Sequence, residues 1–242
     1  DVYKRQVVLN MSDTLFRMAG ERQDERMQAV AIATQLDYYY FQGTNEDSVI
    51  HYTNKVKEFA KATHQPKYYY FAWANRLITY YLKTSRTNIA LYEVQNMLKE
   101  AQEEDDKTGL SRCYNIMSQI YTIKRFDSMA FEWRLKEIEL TEKYKIENYN
   151  ISQTYAQIAN YYINQKKQKE ALAAVEKAIA TANSSTQQIS AKLEFVNYYS
   201  KFGDFQAAEK LLKECQTAFE QDKRLESIKK RLYNIAVSYT HL

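Results

Sequence analysis

The chain has 242 residues, which is enough for one large domain or an array of repeats. Its net charge of +4 is the small difference between 34 basic and 30 acidic residues, so the composition gives no case for a nucleic-acid-binding surface. The helix-breaking residues are rare (Pro 1, Gly 4) and there are 22 tyrosines, which favours an all-α fold of nearly continuous helix.

In chain order, apolar residues recur at helical spacing with short polar breaks between the runs. Pro66 suits a first helical turn, where its missing N–H would have no partner in any case. The polar stretch 183–188 predicts a loop that ends in a helix N-cap. The predicted helices are 9–20, 23–41, 46–63, 67–84, 87–103, 108–124, 127–144, 149–165, 168–182, 186–202, 205–221 and 223–235.

The two ends of the chain do not match the sequence between them. DVYKRQ (1–6) and VSYTHL (237–242) can be encoded by DNA strings that are reverse complements of each other, and the shared string resembles a transposase end sequence used in shotgun library preparation. We therefore expect both strings to be scars from a metagenomic read. The authentic stretch, 7–236, would then be one repeat domain from a longer protein. Sequencing the source DNA beyond both strings would check this.

An internal repeat organises the predicted helices. In each repeat a tyrosine ends one helix, and nine residues later a small residue stands in the next helix. A small side chain lets two antiparallel helices approach closely, while the aromatic ring fills the neighbouring gap. One hairpin cannot bury its apolar face alone, so several must stack. The pairs are Tyr39 and Ser48, Tyr81 and Ala90, Tyr121 and Ala130, Tyr162 and Ala171, and Tyr199 and Ala208.

IANYYINQKKQKEALAAVEKAI and FVNYYSKFGDFQAAEKLLKEC resemble the tetratricopeptide repeat (TPR) family, and the likeness extends over nearly all of 7–236. It implies a right-handed superhelical array of about five antiparallel hairpins, a TPR-like α-solenoid. The small residues recur at intervals of 42, 40, 41 and 37, longer than the family's repeat of about 34 residues. The turn glycine present as Gly203 is replaced by Ser85, Arg125 and Lys166 in other repeats.

No pattern for catalysis or cofactor binding occurs in the sequence, which lacks GxSxG, P-loop and GxGxxG motifs. His51 and His64 have no partner at metal-ligand spacing, and Cys113 and Cys215 form no CxxC pair. We therefore expect no catalytic residue, no cofactor and no metal. Both cysteines are interpreted as small buried helix residues, which favours a reducing compartment.

The TPR resemblance implies a binding surface. In that family the first helix of each hairpin lines a concave groove that holds a protein or peptide partner. Asparagine side chains there could bracket peptide amides, and Arg76 and Arg112 could contact a carboxylate. The candidate groove residues are Asp37, Asn75, Arg76, Thr79, Arg112, Asn115, Gln119, Asn160, Asn164, Asn197 and Lys201.

The stretches at 45–73 and 89–102 are similar to the N-terminal TPR regions of sensor histidine kinases from Bacteroides-type bacteria. This resemblance implies the input region of a two-component protein, periplasmic, with contacts that could form a homodimer and with membrane attachment only through a missing span. The alternatives are a cytoplasmic TPR regulator fused to a DNA-binding helix-turn-helix domain, a free-standing TPR adaptor, and a surface protein whose catalytic or sugar-binding part is missing. Binding of nucleic acid by this stretch is not expected.

Overall fold

The structure is a computed structural model that describes residues 2–43 and 45–240. These residues form helices joined by short turns, and no strand occurs among them. Asp1, Thr44, His241 and Leu242, which include the outer ends of both terminal strings, lie outside the described residues. The chain divides into two compact units, Asp1–Trp133 and Arg134–Leu242.

Each helix predicted from apolar periodicity has a helical counterpart, which confirms the all-α class, but the predicted helix 223–235 is a 3₁₀ segment as far as Ile228 and α-helix only from Lys229. Helix α1 begins earlier than predicted because the prediction set the first six residues aside. The helices are α1 Val2–Glu21, α2 Glu25–Gln42, α3 Glu46–Ala62, α4 Pro66–Ala72, α5 Thr79–Lys83, α6 Thr87–Glu103, α7 Lys107–Ile123, α8 Asp127–Tyr144, α9 Ile151–Asn164, α10 Gln168–Ala180, α11 Ser185–Phe202, α12 Phe205–Gln221 and α13 Lys229–Thr240.

Two short segments depart from α-helix. A 3₁₀ segment, Lys223–Ile228, precedes α13, and a π-helical stretch, Trp73–Ile78, joins α4 to α5 where the sequence predicts one uninterrupted helix. The Thr79 hydroxyl donates a hydrogen bond of 2.9 Å to the carbonyl of Ala74, five residues earlier. A π turn accommodates one extra residue within a helix. It lies in the repeat with the longest interval, 42 residues between Ser48 and Ala90.

The first unit is built from consecutive antiparallel helices. Helix α1 packs on α2, α2 on α3, α3 on α4, and α6 on both α5 and α7. The predicted small residues Ala90 and Ala130 are fully buried, whereas Ser48 is half-buried. The tyrosine run at 68–71 supplies core side chains rather than an exposed stacking surface, since Tyr69 and Tyr70 are buried.

The second unit repeats the arrangement. Helix α9 packs on α10, α11 on α12, and α9 also contacts α11. Ala171 and Ala208 are fully buried, as the repeat pattern predicts. Cys215 belongs to the core cluster that includes Leu193 and Val196. Because burial raises the pKa of its thiol to about 11, Cys215 stays protonated at neutral pH.

The turns within the hairpins have a left-handed backbone even where the family's glycine is replaced by another residue. Gly203 has a left-handed backbone with φ of 91°. Ser85, Arg125 and Lys166, which replace the family's glycine, adopt the same left-handed region with φ of 60°, 63° and 57°. The turn geometry is therefore retained with side chains that tolerate it less well than glycine does.

Helix packing in the first unit depends on a glycine. The ring of Tyr70, which is fully buried, lies against the backbone of α7 at Gly109. A Cβ atom at this position would lie 2.5 Å from the Tyr70 Cζ atom. The Asp106 side chain caps the same turn by accepting a hydrogen bond of 2.8 Å from the Gly109 N–H.

We predict that Gly109→Ala destabilises the chain. Alanine in a helix normally gains about 0.5–1 kcal/mol over glycine. Here the added methyl group displaces a buried ring, and overpacking of this kind costs about 1–3 kcal/mol. Thermal or urea unfolding measures the difference.

Gly20→Ala in α1 is the matched control. The nearest atom to a Cβ there is Nε2 of Gln28 at 2.9 Å, which is the end of a flexible side chain that can move aside. We expect this control to be neutral or stabilising by up to about 1 kcal/mol. Equal stability of the two variants would show that the Tyr70–Gly109 contact does not limit packing.

Candidate partner-binding face

The predicted groove residues lie on the less buried sides of the first helices of the hairpins. Arg112, Asn115 and Gln119 share one stripe of α7, since they are three and four residues apart, and the residues between them are mostly buried. Asn160 and Asn164 are placed in the same way on α9. The remaining members lie on α2 (Asp37), the π stretch (Asn75, Arg76), α5 (Thr79) and α11 (Asn197, Lys201).

In the first unit, some of the predicted groove residues make contacts that hold the unit itself together. Arg76 Nε donates to the carboxylate of Asp37 and so joins the π stretch to α2. The guanidinium carbon of Arg76 also lies 4.5 Å from the ring centroid of Phe71 and 5.0 Å from that of Tyr40. Since its charge, plane and N–H groups have partners within the unit, Arg76 is a structural link.

On the stripe of α7, two of the predicted groove residues form a hydrogen bond with each other. Asn115 accepts a hydrogen bond of 2.6 Å from Gln119 through its side-chain oxygen. The Nε atom of Arg112 is buried and has no hydrogen-bond partner among the described residues. Burial lowers the pKa of the Arg112 guanidinium, and the charge of Asp106 opposes this shift.

In the second unit the predicted asparagines converge on a carboxylate that sequence reasoning missed. The side-chain amides of Asn160 and Asn197 each donate a hydrogen bond of 3.4 Å to Oε2 of Glu194. Asn164 donates in turn to Asn160 at 3.1 Å. Glu194 is only 5% exposed. The sequence does contain an indication of this buried carboxylate, because an acidic residue stands three positions before Asn197, inside the apolar stripe of α11.

An open cleft of about 460 Å³ lies in the second unit and was not predicted. Two of its polar side chains support the fold: Ser152 donates to the Ala178 carbonyl at 2.7 Å, and Gln187 donates to the Tyr149 carbonyl at 2.6 Å. The lining residues are Ser152, Gln153, Ala156, Thr186, Gln187, Ser190, Ala191, Ile228, Lys230 and Asn234.

The spacing of the repeat identifies two of the residues that line this cleft. Gln153 and Ser190 each stand nine residues before the tyrosine of their repeat, Tyr162 and Tyr199. Arg112 holds the same position before Tyr121. The predicted groove positions lie one or two helical turns before the tyrosine, so they do not include Gln153 and Ser190.

Within the described residues, no group of three or more His, Cys, Asp or Glu side chains could hold a metal ion. None of the helices described is both long enough and apolar enough to cross a membrane.

Comparison with known proteins identifies the architecture. Residues 152–184 match the tetratricopeptide repeat family model. BtubC (BKLC) from P. vanneervenii has a similar structure, with 14% identity, a TM-score of 0.69, and coverage of 93% of this chain and 92% of that chain. The putative kinesin light chain of Podosopora anserina, with nearly identical TPR-like repeats, has 13% identity, a TM-score of 0.53, and coverage of 89% and 96%.

A Rap protein complexed with Competence and Sporulation Factor is also similar, with 15% identity, a TM-score of 0.53, and coverage of 99% of this chain and 73% of that chain. Comparison with curated proteins gives no match. Likenesses at these identities establish the fold alone, and the fold is a TPR-like α-solenoid of helical hairpins, as the repeat pattern predicts.

We predict that Glu194→Ala destabilises the chain because the amides of Asn160 and Asn197 then lose their shared acceptor. Both amides are half-buried, so we expect a loss of about 0.5–1.5 kcal/mol, the usual net contribution of a hydrogen bond. Glu194→Gln keeps an acceptor oxygen and should lose less. Thermal unfolding of the variants measures the effect.

Glu176→Ala, at an exposed position of α10, controls for loss of a glutamate side chain and should change stability by no more than about 0.5 kcal/mol. If Glu194→Ala unfolds at the same temperature as this control, then the amide–carboxylate cluster does not stabilise the unit.

Proposed function

We propose that the chain is a binding scaffold for proteins or peptides, and that the second unit carries a binding face. We call this surface the α9–α11 face; it comprises Gln153, Asn160, Asn164, Ser190 and Asn197. The observation that carries the proposal is the cleft of about 460 Å³, which is lined by α9, α11 and the segment 228–234, and in which six of the ten lining residues carry an amide or hydroxyl group.

The chemistry of this lining suits a main chain better than a reactive small molecule. Side-chain amides and hydroxyls offer both donors and acceptors, so they can pair with the N–H and C=O groups of an extended peptide. The small residues Ala156 and Ala191, which also line the cleft, let a backbone approach closely. Gln153 is exposed at the edge of the cleft, where a partner can reach it.

The architecture supports the same proposal. The matched family region, residues 152–184, covers α9 and α10 and therefore one side of the cleft. A protein of similar fold, the Rap protein, is complexed with Competence and Sporulation Factor. From that similarity we carry over to this chain only the class of activity, which is recognition of another polypeptide by stacked helical hairpins.

For the whole protein, we propose that this scaffold is the input region of a two-component histidine kinase in which it lies on the periplasmic side. The resemblance of the stretches at 45–73 and 89–102 supports this proposal. A kinase core encoded downstream in the source DNA is the expected result of sequencing, and a stop codon soon after residue 236 would contradict it.

A cytoplasmic TPR regulator fused to a helix-turn-helix domain is the second candidate. The observation that favours it is the state of the cysteines. Cys113 and Cys215 are both free and buried, and unpaired thiols suit a reducing compartment. A helix-turn-helix coding region without a membrane span, found by the same sequencing, would select this candidate.

The binding proposal makes a direct prediction for Gln153→Trp. Peptides are first selected on the purified chain from a random peptide display library, and their affinities are measured by fluorescence anisotropy. An indole at the edge of the cleft should block an extended peptide, so we expect a loss of about tenfold or more in affinity.

Glu176→Trp is the matched control, because it adds the same side chain at an exposed position on α10 outside the cleft lining. This control should bind as the unmodified chain does. The α9–α11 face would be the wrong surface if both tryptophan variants bound the selected peptides with unchanged affinity.

A further inference from the structure

The first unit contains an open cavity that is larger than the cleft of the second unit. Its volume is about 610 Å³, and it lies between the end of α3, the start of α4 and the turn that joins α6 to α7. None of the predicted groove residues lines it. The lining residues are Ala60, Lys61, His64, Pro66, Tyr69, Glu104, Asp105 and Asp106.

The lining of this cavity divides into an apolar part and an acidic part. Ala60, Pro66 and the ring of Tyr69 supply apolar surface, and Ala60 and Tyr69 are almost fully buried. Three successive acidic residues, 104–106, form the facing turn. A pocket that combines apolar surface with a few convergent polar groups is the usual form of a small-molecule site.

The positive charge in the lining is neutralised within the chain. The Lys61 ammonium and the Tyr69 hydroxyl both donate to the carboxylate of Glu100 on α6. The lining contains no other lysine or arginine. A molecule that enters the cavity therefore meets carboxylates that Lys61 does not compensate.

Glu104 is the carboxylate with the most acceptor capacity left for a ligand. Asp105 forms an ion pair with Lys107, and the Asp106 side chain caps α7. Glu104 is exposed, and its Oε2 atom accepts one long hydrogen bond, 3.4 Å, from the Tyr70 hydroxyl. Since an ionised carboxylate offers about four acceptor positions, most of those on Glu104 are open to a donor from outside the chain.

The chain itself places ammonium groups beside the aromatic rings of this region. The Nζ atom of Lys61 lies 4.9 Å from the centroid of the Tyr69 ring. The Nζ atom of Lys57 lies 5.2 Å from the same centroid and 3.5 Å from that of Trp73. An aromatic face attracts an ammonium group through its negative potential. The surroundings of the cavity therefore stabilise positive charge, and a positively charged ligand would meet the same field.

We propose that this cavity binds an aliphatic ammonium group. The alkyl chain lies against Ala60, Pro66 and the ring of Tyr69, and the charged nitrogen donates to the Glu104 carboxylate. A hydrogen bond between two charged groups is roughly twice as strong as a neutral one. A free polyamine and a lysine side chain of a polypeptide both offer this chemistry. The cavity shares no residue with the α9–α11 face, so the proposal goes beyond the scaffold function.

His64 lines the cavity and reports on it directly. Its imidazole C–H signals are followed by ¹H–¹³C NMR in the unmodified chain. His64→Asn identifies them by their loss, because asparagine tolerates the left-handed φ of 52° at this position. His51, which is on α3 outside the lining, is the internal reference. We expect butylammonium chloride to shift the His64 signals saturably and to leave the His51 signals unchanged.

Two further probes separate the two parts of the ligand. Ammonium chloride carries the charge without the alkyl chain, and butanol carries the alkyl chain without the charge. With sodium chloride holding the ionic strength constant, each should shift His64 less than butylammonium does. The proposal would be overturned by the lack of a saturable shift, by equal shifts of His51 and His64, or by a shift with ammonium chloride as large as that with butylammonium.

Glu104→Gln removes the proposed binding charge and keeps the size of the side chain. We expect the dissociation constant of butylammonium to rise about tenfold. Glu103→Gln is the matched control, because it removes the same charge from the neighbouring exposed residue, which does not line the cavity. Thermal unfolding checks that both variants are folded. Equal weakening by the two variants would show attraction to the acidic turn in general and would contradict a site at Glu104.

Spermidine and Nα-acetyl-lysine amide distinguish the two sources of the ammonium group. A lower dissociation constant for spermidine supports a free polyamine as the ligand, and a lower one for the lysine derivative supports a lysine side chain of a polypeptide. The two proposals fail separately. Peptides that bind the α9–α11 face, with no amine shifting His64, would remove the ammonium site alone. A saturable His64 shift without any selected peptide would remove the scaffold proposal alone.

Discussion

The fold depends on close contact between the two helices of each hairpin, which only a small side chain allows. Ala90, Ala130, Ala171 and Ala208 occupy this contact and are at most 1% exposed. Their spacing from the repeat's tyrosines is constant at nine residues, even though the intervals between repeats vary from 37 to 42. The contact within a hairpin is therefore fixed, and the variation in length falls between one small residue and the next tyrosine, where the longest interval contains the π stretch.

This constraint also determines which side chains remain for a partner. Once one side of a first helix is buried against its hairpin partner, the other side carries polar residues whose roles the sequence cannot separate. The structure divides them into two groups. Asp37, Arg76 and Thr79 satisfy one another or the backbone of the π stretch. Gln153 has no such role in the described residues, and the proposed binding chemistry rests on it and on the cleft that it borders.

The sequence predicts what local periodicity and repeat spacing determine: the helices, their pairing, the buried alanines and the buried cysteines. It fails where the outcome depends on contacts between distant residues. The role of Glu194 becomes visible only when Asn160, thirty-four residues earlier, is brought beside it. Apolar periodicity also gives no indication of the π stretch or of the left-handed backbone of Arg125.

The claim that a small side chain at the hairpin contact holds the fold together is tested most directly by comparing Ala171→Leu with Ala173→Leu. Both changes add the same atoms to α10, but Ala171 is fully buried and Ala173 is exposed. Equilibrium urea unfolding should show that Ala171→Leu loses about 1–3 kcal/mol through overpacking. Ala173→Leu should stay within about 0.5 kcal/mol of the unmodified chain. Equal stability of the two variants would contradict the account.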